Sequence, residues 1–340
     1  PAHTPEEITA SVLAVRARKA MRQMKLVVVN SMHDEFRKEQ LQNFAAGTRE
    51  RLGVEILVRS IEELKERAAG HDDSAADNEL RRWYAEVLEE PVEVDQAHMR
   101  QVARLYLAQR DILEETGAGG ITPDDIGGFL TIAEPTVMPN VSYGPLAADG
   151  FLVCEEGDIE ALTTELLLYA GLGAHPTMSN IYFAFRDRFT ALDSHEQYTH
   201  ELELEDCRQC FADHHVTAAH FSASGVLPPD MMEEERYRVR EALPSWPGQS
   251  MIVSTPKLGP VVMARLSDNA SAVHIVPGEV DGIATGDRYG WYRGRWFIRI
   301  ADAKDFAERC LHQHYAIGPA PSRTDVLDTL CGKLLGLQSA

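Results

Sequence analysis

The first half of the chain alternates short apolar runs with longer stretches of helical periodicity. The run KLVVVNS at 25–31 predicts a buried strand, and residues 53–60 predict a second one. A helical pattern follows each strand, at 34–53 and at 60–70. The polar stretch 70–79 predicts a loop, and a further helical pattern runs from about 93 to 115. Strands separated by helices at this spacing are typical of a parallel sheet with helical crossovers.

The most informative segment is FLVCEEGDIEALTTELLLYAGLG, residues 151–173. Its apolar start predicts a strand that ends near Cys154, and Asp158 and Gly173 are typical residues for the beginning and the end of the following helix. Glu156 therefore lies between the carboxyl end of a strand and the start of a helix. Open α/β sheets bind their ligands at this place.

The pattern changes after about residue 245. Short strands separated by Gly, Pro and Asp-Asn follow one another without helices, as in SMIVSTPKLGPVVMARLSDNASAVHIVPGEVDG, and a helical pattern at 322–337 closes the chain. Such a run predicts antiparallel β-structure, in the form of a barrel or a sandwich. We therefore predict an α/β protein, with a Rossmann-like parallel-sheet domain at 1–172 and a mixed domain at 173–340 that ends in a C-terminal antiparallel β-barrel.

Composition and charge narrow the possible partners and location. The 340 residues carry a formal net charge of −20. A chain this acidic lacks the excess of basic residues that binding to nucleic acid or to an anionic membrane requires. The apolar runs are shorter than the roughly 20 residues of a membrane span. The first residues predict a helix capped at Thr4 rather than a signal peptide, and five cysteines, an odd number, favour a reducing compartment. We expect a cytoplasmic protein.

One cysteine-rich stretch offers ligands for zinc. In CRQCFADHH, Cys207 and Cys210 precede His214 and His215. Thiolates and imidazoles suit zinc, but a structural zinc site normally has a matching second half elsewhere. A loop with two reduced thiols is the favoured interpretation.

A second group combines a carboxylate with two imidazoles. Glu156, His220 and His314 each lie on or beside a predicted strand. A mixed O/N site of this kind suits Mn²⁺, or a related cation such as Co²⁺ or Fe²⁺. Such an ion can hold adjacent oxygens of a sugar and stabilise an enediolate. Taken singly, either histidine is more often a structural residue, and spacing does not show that the three groups converge.

Five motifs, in sequence order, resemble the L-fucose isomerase and L-arabinose isomerase superfamily. They are CEEGDIEALTTELLL, AHPTMSNIYFAF, TAAHFSASG, GPVVMARLSDNASAVHIVPGEV and LHQHYAIG. The resemblance implies a cytosolic, Mn²⁺-dependent aldose–ketose isomerase that converts a pentose or 6-deoxyhexose through an enediol. It also implies a symmetric homo-oligomer, a trimer or hexamer.

The resemblance further assigns roles to single residues. Glu156 takes the place of the acid that binds the metal and shuttles a proton, and His220 and His314 take the places of the metal-binding histidines. His312 is then a neighbour or a substrate contact. Asp158 either orients the site from behind or only caps its helix.

The chain departs from the family pattern in two ways. Where the family has a second acid, serving as ligand and base, HPTMSNIYF offers Asn180, which can coordinate a metal but cannot accept a proton at neutral pH. A replacement base would have to come from elsewhere, and Glu155, Asp187 and Glu196 are the candidates. The sequence also shows no counterpart of the family's additional N-terminal α/β domain, as expected for a fragment or for a shorter relative.

These departures keep other hypotheses open. Asn180 favours a sugar-binding or regulatory relative that has kept the scaffold and lost turnover. Another enediolate-forming enzyme, such as a sugar-acid dehydratase or an aldolase, would share the metal chemistry.

Overall fold

A parallel sheet of four strands and a larger antiparallel sheet form the framework of the fold in this computed structural model. The residues that the structure describes are 4–30, 35–89, 94–124, 137–185, 188–191, 215–219, 227–241, 250–284, 295–320 and 324–339.

The parallel sheet contains strands β1 (Lys25–Asn30), β2 (Glu55–Ser60), β3 (Gly120–Pro123) and β4 (Leu152–Val153). Its order is β2-β1-β3-β4, and all three pairings are parallel. The central residues of β1, 26–29, are fully buried, as expected for a strand covered on both faces. The chain runs outward from β1 to β2 and returns to β3 on the other side, so the order reverses between β1 and β3. A parallel α/β sheet is thereby confirmed.

Helices connect and cover the strands. They are α1 (Pro5–Met21), α2 (Glu35–Arg51), α3 (Ile61–Gly70), α4 (Asp73–Glu86), α5 (Gln96–Thr116), α6 (Asn140–Ala148), α7 (Ile159–Leu172), α8 (Ala303–Arg309) and α9 (Thr324–Asp328), with a π-helical turn at Thr329–Leu334 and a 3₁₀ turn at Pro229–Met231. The predicted loop at 70–79 is wrong, because Asp72 accepts a hydrogen bond from the Ala75 amide and starts α4. Within the described ranges, no helix has both the length and the apolar composition that crossing a bilayer requires.

The antiparallel sheet carries most of the second half. Its strands are β5 (Thr177–Phe185), β6 (Arg188–Ala191), β7 (His215–Ala219), β10 (Gly259–Leu266), β11 (Ala272–Ala284), β12 (Arg295–Ile300), β13 (His314–Pro319) and β14 (Gln338–Ser339), while β8 (Arg238–Glu241) and β9 (Ser250–Val253) form a separate pair. The order is β10-β13-β5-β7-β12-β11-β14, with β6 beside β5, and only the β11–β14 pairing is parallel. Because β10 also pairs with β11, the sheet curls. The antiparallel prediction is confirmed, and the complete barrel and the Rossmann-like architecture stay predictions.

The two sheets share their hydrophobic cores. Val27 of β1 belongs to the same buried cluster as Trp296 of β12. Leu26 of β1 belongs to a second cluster that contains Ala316 of β13. Because successive side chains of a strand point to opposite faces, β1 contributes to both clusters.

Helix α7 lies between the two sheets and places the functional site. It contacts β1, β3 and β4 of the parallel sheet and β5, β10 and β13 of the antiparallel one. Its sequence IEALTTELLLYAGL is buried almost all round, as expected for an interior helix. The turn at 155–158, which leads into α7, is therefore held where the carboxyl ends of the parallel strands meet the start of β13.

Candidate metal centre at the junction of the sheets

A polar cavity of about 840 Å³ opens at the carboxyl ends of the parallel strands. Asn30 at the end of β1 and Asp124 after β3 line it, together with Glu156 after β4. The β1–β3 border is the point where the strand order reverses, which is the usual ligand site of open α/β sheets. His314 and Arg265 of the antiparallel sheet complete the wall on the other side.

The turn at 155–158 holds two residues in the left-handed region. Glu156 has φ 62° and Gly157 has φ 65°. The Gly157 amide donates to the Pro123 carbonyl at 2.8 Å, and a Cβ at position 157 would lie 3.0 Å from the Asp124 Cβ. Glycine is therefore required at 157. At Glu156 the same conformation costs roughly 1–2 kcal/mol, and such strain is typical of functional sites.

Asp158 caps α7 and also hydrogen-bonds two side chains of the cavity wall. Its Oδ1 accepts a hydrogen bond from the Ala161 amide at 2.7 Å and caps α7. Its Oδ2 accepts from Arg265 Nη1 at 2.7 Å and from His314 Nδ1 at 2.8 Å. Burial alone would raise the pKa of Asp158, but the Arg265 charge and the His314 hydrogen bond bring it well below its usual range. Asp158 is therefore an ionised acceptor.

This acceptor fixes the tautomer of His314. Because Nδ1 donates to Asp158, Nε2 is the nitrogen left to accept a hydrogen bond or bind a cation. It lies 3.4 Å from Glu156 Oε2. Ligand atoms usually lie about 2.1–2.2 Å from such an ion. If the angle between two of them at the ion is between 90° and tetrahedral, the two ligand atoms are roughly 3.0–3.5 Å apart. The distance from His314 Nε2 to Glu156 Oε2 therefore suits a cation bound to both.

Gln313 lies beside the same nitrogen. Its Nε2 atom is 3.3 Å from His314 Nε2, and its Oε1 has no hydrogen-bond partner in the described part of the chain. The two amide orientations have nearly the same shape. Turning the amide over would present an oxygen, a suitable further ligand, to a cation at His314.

His312 stands just before β13 rather than within it, because the strand begins at His314. Its Nδ1 accepts the His314 backbone N–H at 3.1 Å. Desolvation, followed by the Arg265 charge, lowers the pKa of His312 to about 4. The ring is then neutral near pH 7 and its Nε2 carries the hydrogen, so His312 acts as a hydrogen-bond donor.

Asp158, His312 and His314 place ligand atoms within 4.8 Å of one another, a group that can hold a metal ion. The three residues differ in whether their ligand atoms already accept hydrogen bonds. The Asp158 Oδ2 atom already has two partners, and the acceptor nitrogen of His312 already has one. His314 Nε2 and the neighbouring Glu156 are therefore the better ligand pair, with Asp158 holding the imidazole from behind.

The other predicted site residues are placed as follows. Asn180 of β5 lies directly opposite His314 of β13, so their side chains share one face of the sheet. Asn180 is buried, and no described residue provides a hydrogen-bond partner for its Oδ1. Glu155 is buried against Asn140 and does not line the cavity, which makes it a poor replacement base.

Several predicted residues lie outside the described part of the chain. They are His220, the alternative bases Asp187 and Glu196, and Cys207, Cys210 and His214 of the zinc alternative. His215 is described, and its Nε2 lies 2.9 Å from Asp281 Oδ2, on β11.

Sequence reasoning missed several charged cavity residues, Asp124, Glu160, Arg265 and Asp268 among them. Arg265 interrupts the apolar strand VVMARL, and that break was the only local signal for it. Burial, together with the Asp158 charge, raises the pKa of Glu160 to about 7. Glu160 can therefore give or take a proton near neutral pH.

The cavity is strongly acidic. Five carboxyl side chains line it: Asp124, Glu156, Asp158, Glu160 and Asp268. The Arg265 charge is paired with Asp158. The net negative charge of the lining side chains favours a bound cation or an uncharged polyhydroxyl ligand over an anion.

No protein-family model matches the sequence, and no curated protein matches it. The resemblance to sugar isomerases therefore stays an expectation.

Proposed function

We propose that the protein is a metal-dependent aldose–ketose isomerase that acts on a pentose or a 6-deoxyhexose through an enediol. The observation that carries the proposal is the 3.4 Å separation of His314 Nε2 from Glu156 Oε2, at the wall of a polar cavity. A mixed nitrogen and oxygen donor pair suits Mn²⁺, Co²⁺ or Fe²⁺. Glu156 and His314 would hold the ion, and His220 is proposed as a further ligand on the resemblance alone.

A divalent cation bound there would polarise the two adjacent oxygens of the sugar and so acidify the neighbouring C–H bond. Glu156 is the proposed base: it takes the proton from C2 of the aldose and returns it to C1. The proton of the C2 hydroxyl meanwhile moves to the former carbonyl oxygen at C1, so atoms balance and no other reactant is needed. His312 is proposed to donate its Nε2–H to a sugar oxygen.

Cavity charge supports a neutral sugar as the substrate. Asp124, Glu156 and Asp268 add carboxyl groups to the lining beyond the Asp158–Arg265 pair, and they would repel a phosphate or carboxylate. Sugar hydroxyls can instead donate hydrogen bonds to such groups. Asp124 and Glu160 are the acceptors proposed for this contact.

A second candidate function is sugar binding without turnover. Asn180 favours it, because its amide lies opposite His314 where the family has an acid, and an amide cannot accept the proton. In that case the same cation and cavity would hold a sugar as a regulatory ligand.

An activity and binding panel tests both functions. The protein is offered pentoses and 6-deoxyhexoses with Mn²⁺ in deuterated water, and ketose formation and carbon-bound deuterium are followed by NMR, before and after chelation. Calorimetry measures sugar binding in parallel. Ketose that disappears on chelation and returns with Mn²⁺ supports the isomerase. Sugar binding without ketose or deuterium exchange supports the binding function, and neither binding nor turnover contradicts both.

His314→Gln is the informative variant, with His71→Gln as its matched control. His71 contacts Asp111, away from the cavity. We expect the first substitution to remove metal-dependent turnover and the second to leave it unchanged.

The proposal also includes four features of the fold, location and assembly that go beyond the observed architecture. These are a Rossmann-like parallel domain, a complete C-terminal barrel, a cytoplasmic location and a trimeric or hexameric assembly. The strand order β2-β1-β3-β4 and the curled sheet support the first two.

A further inference from the structure

Helix α1 is apolar on two opposite faces. One face is buried in the fold through Ala10, Ala14, Ala17 and Met21. The other carries Ile8, Val12 and Val15, which are 54%, 54% and 56% exposed. The spacing i, i+4, i+7 places these three side chains in one continuous stripe along the helix.

This outer stripe differs from ordinary surface hydrophobicity. The described residues include four other large apolar side chains that are exposed, Val58, Tyr169, Leu258 and Leu311, and each stands on a different element or loop. Scattered residues of that kind need no explanation. A surface helix normally has one apolar face, so a second one indicates a second packing partner.

The charges at the two ends of α1 are opposite in sign, so two copies of the helix packed antiparallel would bring opposite charges together. Acidic residues Glu6 and Glu7 are in the first turn, and basic residues Arg18 and Lys19 are in the last. Glu7 and Arg18 are eleven residues apart, about three full turns, so they lie on the same edge of the stripe. The rise of roughly 16 Å between them is too long for a contact within one helix.

We propose that α1 packs antiparallel against α1 of a second copy of this chain, across a two-fold axis that passes close to Val12. This arrangement puts Ile8 of each copy against Val15 of the other. It also brings the Glu7 carboxylate of each copy to the Arg18 guanidinium of the other, twice by symmetry.

The expected association is modest. A stripe of three aliphatic side chains per copy lies at the small end of specific interfaces, so the dimer should dissociate at roughly micromolar concentration. The proposal does not depend on the metal centre or on isomerase activity, because α1 contributes no residue to the cavity. Its two-fold contact fits a hexamer, where it would join two trimers, but not an isolated trimer.

Sedimentation of the full chain over a range of concentrations tests the interface. Val12→Glu places a charge at the centre of the stripe and should raise the dimer dissociation constant at least about tenfold. Leu258→Glu is the matched control, since Leu258 is 59% exposed on another part of the surface. An unchanged thermal midpoint of Val12→Glu shows that the fold is intact. A wild-type chain that stays monomeric, or a Val12→Glu variant that associates like wild type, overturns the proposal.

Paired charge reversals test the antiparallel orientation. Glu7→Lys and Arg18→Glu each create like-charge contacts in their own homodimer, so each should weaken association. Mixed in equal amounts, the two variants form a heterodimer in which both contacts join opposite charges. Fluorescence transfer between differently labelled variants should therefore show tighter association in the mixture than in either variant alone. Equal or weaker association in the mixture overturns the antiparallel pairing, even if Glu7→Lys also weakens the helix cap that Glu7 forms with Thr4.

Discussion

The two ring nitrogens of His314 have different roles, and this division suits the residue to a metal. Nδ1 donates to Asp158, which Arg265 keeps ionised, and Nε2 faces the Glu156 carboxylate. The Asp158 and Arg265 side chains are only 8% and 4% exposed. A buried pair of this kind costs stability when one partner loses its charge.

We expect Asp158→Asn to weaken both the site and the fold. The amide keeps the shape, but it leaves Arg265 buried without a counter-charge and no longer fixes the His314 tautomer. Mn²⁺ affinity should fall about 10–100-fold, and the free energy of unfolding should fall by about 3 kcal/mol. Calorimetry and urea denaturation measure the two effects.

Asp158→Asn combined with Arg265→Met is the matched control for this prediction. Removing both charges should recover much of the stability, but not the Mn²⁺ affinity. Wild-type affinity in Asp158→Asn would show that Asp158 does not position the ligand.

Glu165 of α7 gives a prediction for the pH dependence of stability. It is fully buried, and burial, followed by the Asp158 and Glu155 charges, raises its pKa well above the usual 4.5. The folded protein then keeps a proton that the unfolded chain releases above pH 4.5. The contribution to the free energy of unfolding therefore falls as pH rises, by up to about 1.4 kcal/mol per pH unit, until the folded pKa is passed.

Glu165→Gln should remove this slope, because the amide stays neutral in both states. Urea denaturation at several pH values compares it with wild type and with Glu114→Gln, a change at an exposed carboxyl of α5. Parallel pH profiles for wild type and Glu165→Gln would mean that Glu165 is ionised in the fold.

At the scale of elements, the strand–turn–helix unit from β4 to α7 shows which structural features local sequence patterns predict and which they do not. The apolar run predicts the strand, Asp158 is the observed N-cap, and Gly173 ends the helix at φ 74°. These features were predictable because capping and left-handed termination depend on neighbours within a few residues. The left-handed conformation of Glu156 was not, because contacts of the turn with β3 impose it.

Glu156→Gly should separate stability from function at this turn. Glycine adopts the left-handed region without strain, so the free energy of unfolding should rise by about 1 kcal/mol while Mn²⁺ binding is lost. Glu156→Gln keeps the strain and removes the charge, so it should lose the metal without gaining stability. Thermal unfolding and calorimetry on both variants test this. Destabilisation by Glu156→Gly would show that the Glu156 side chain contributes more to the fold than its conformation costs.

At the scale of the whole molecule, the two sheets share two hydrophobic clusters, each with residues from both sides of position 172. Helix α7 adds contacts to strands of both sheets. The division into domains at 1–172 and 173–340 stays a prediction, and buried side chains from both segments pack together in these two clusters.

We expect the whole chain to unfold in one cooperative transition, because loss of either sheet exposes both clusters. Far-ultraviolet circular dichroism, tryptophan fluorescence and calorimetry should give one midpoint. Trp83 lies on α4 and Trp296 on β12, so fluorescence reports on both halves. Two separate transitions would show that the segments on either side of residue 172 are independent domains.

The sequence by itself determined the alternation of strands and helices and the change to antiparallel β-structure. These follow from periodicity and capping, which act over a few residues. The candidate ligands Glu156, His220 and His314 came instead from residue type and from the family resemblance. Only the tertiary structure decided which atoms meet. Asp158 joins Arg265 and His314 across 107 and 156 residues of chain. Such contacts depend on strand order and register, which no local pattern encodes, and they decide that Asp158 supports His314 and that His312 acts as a donor.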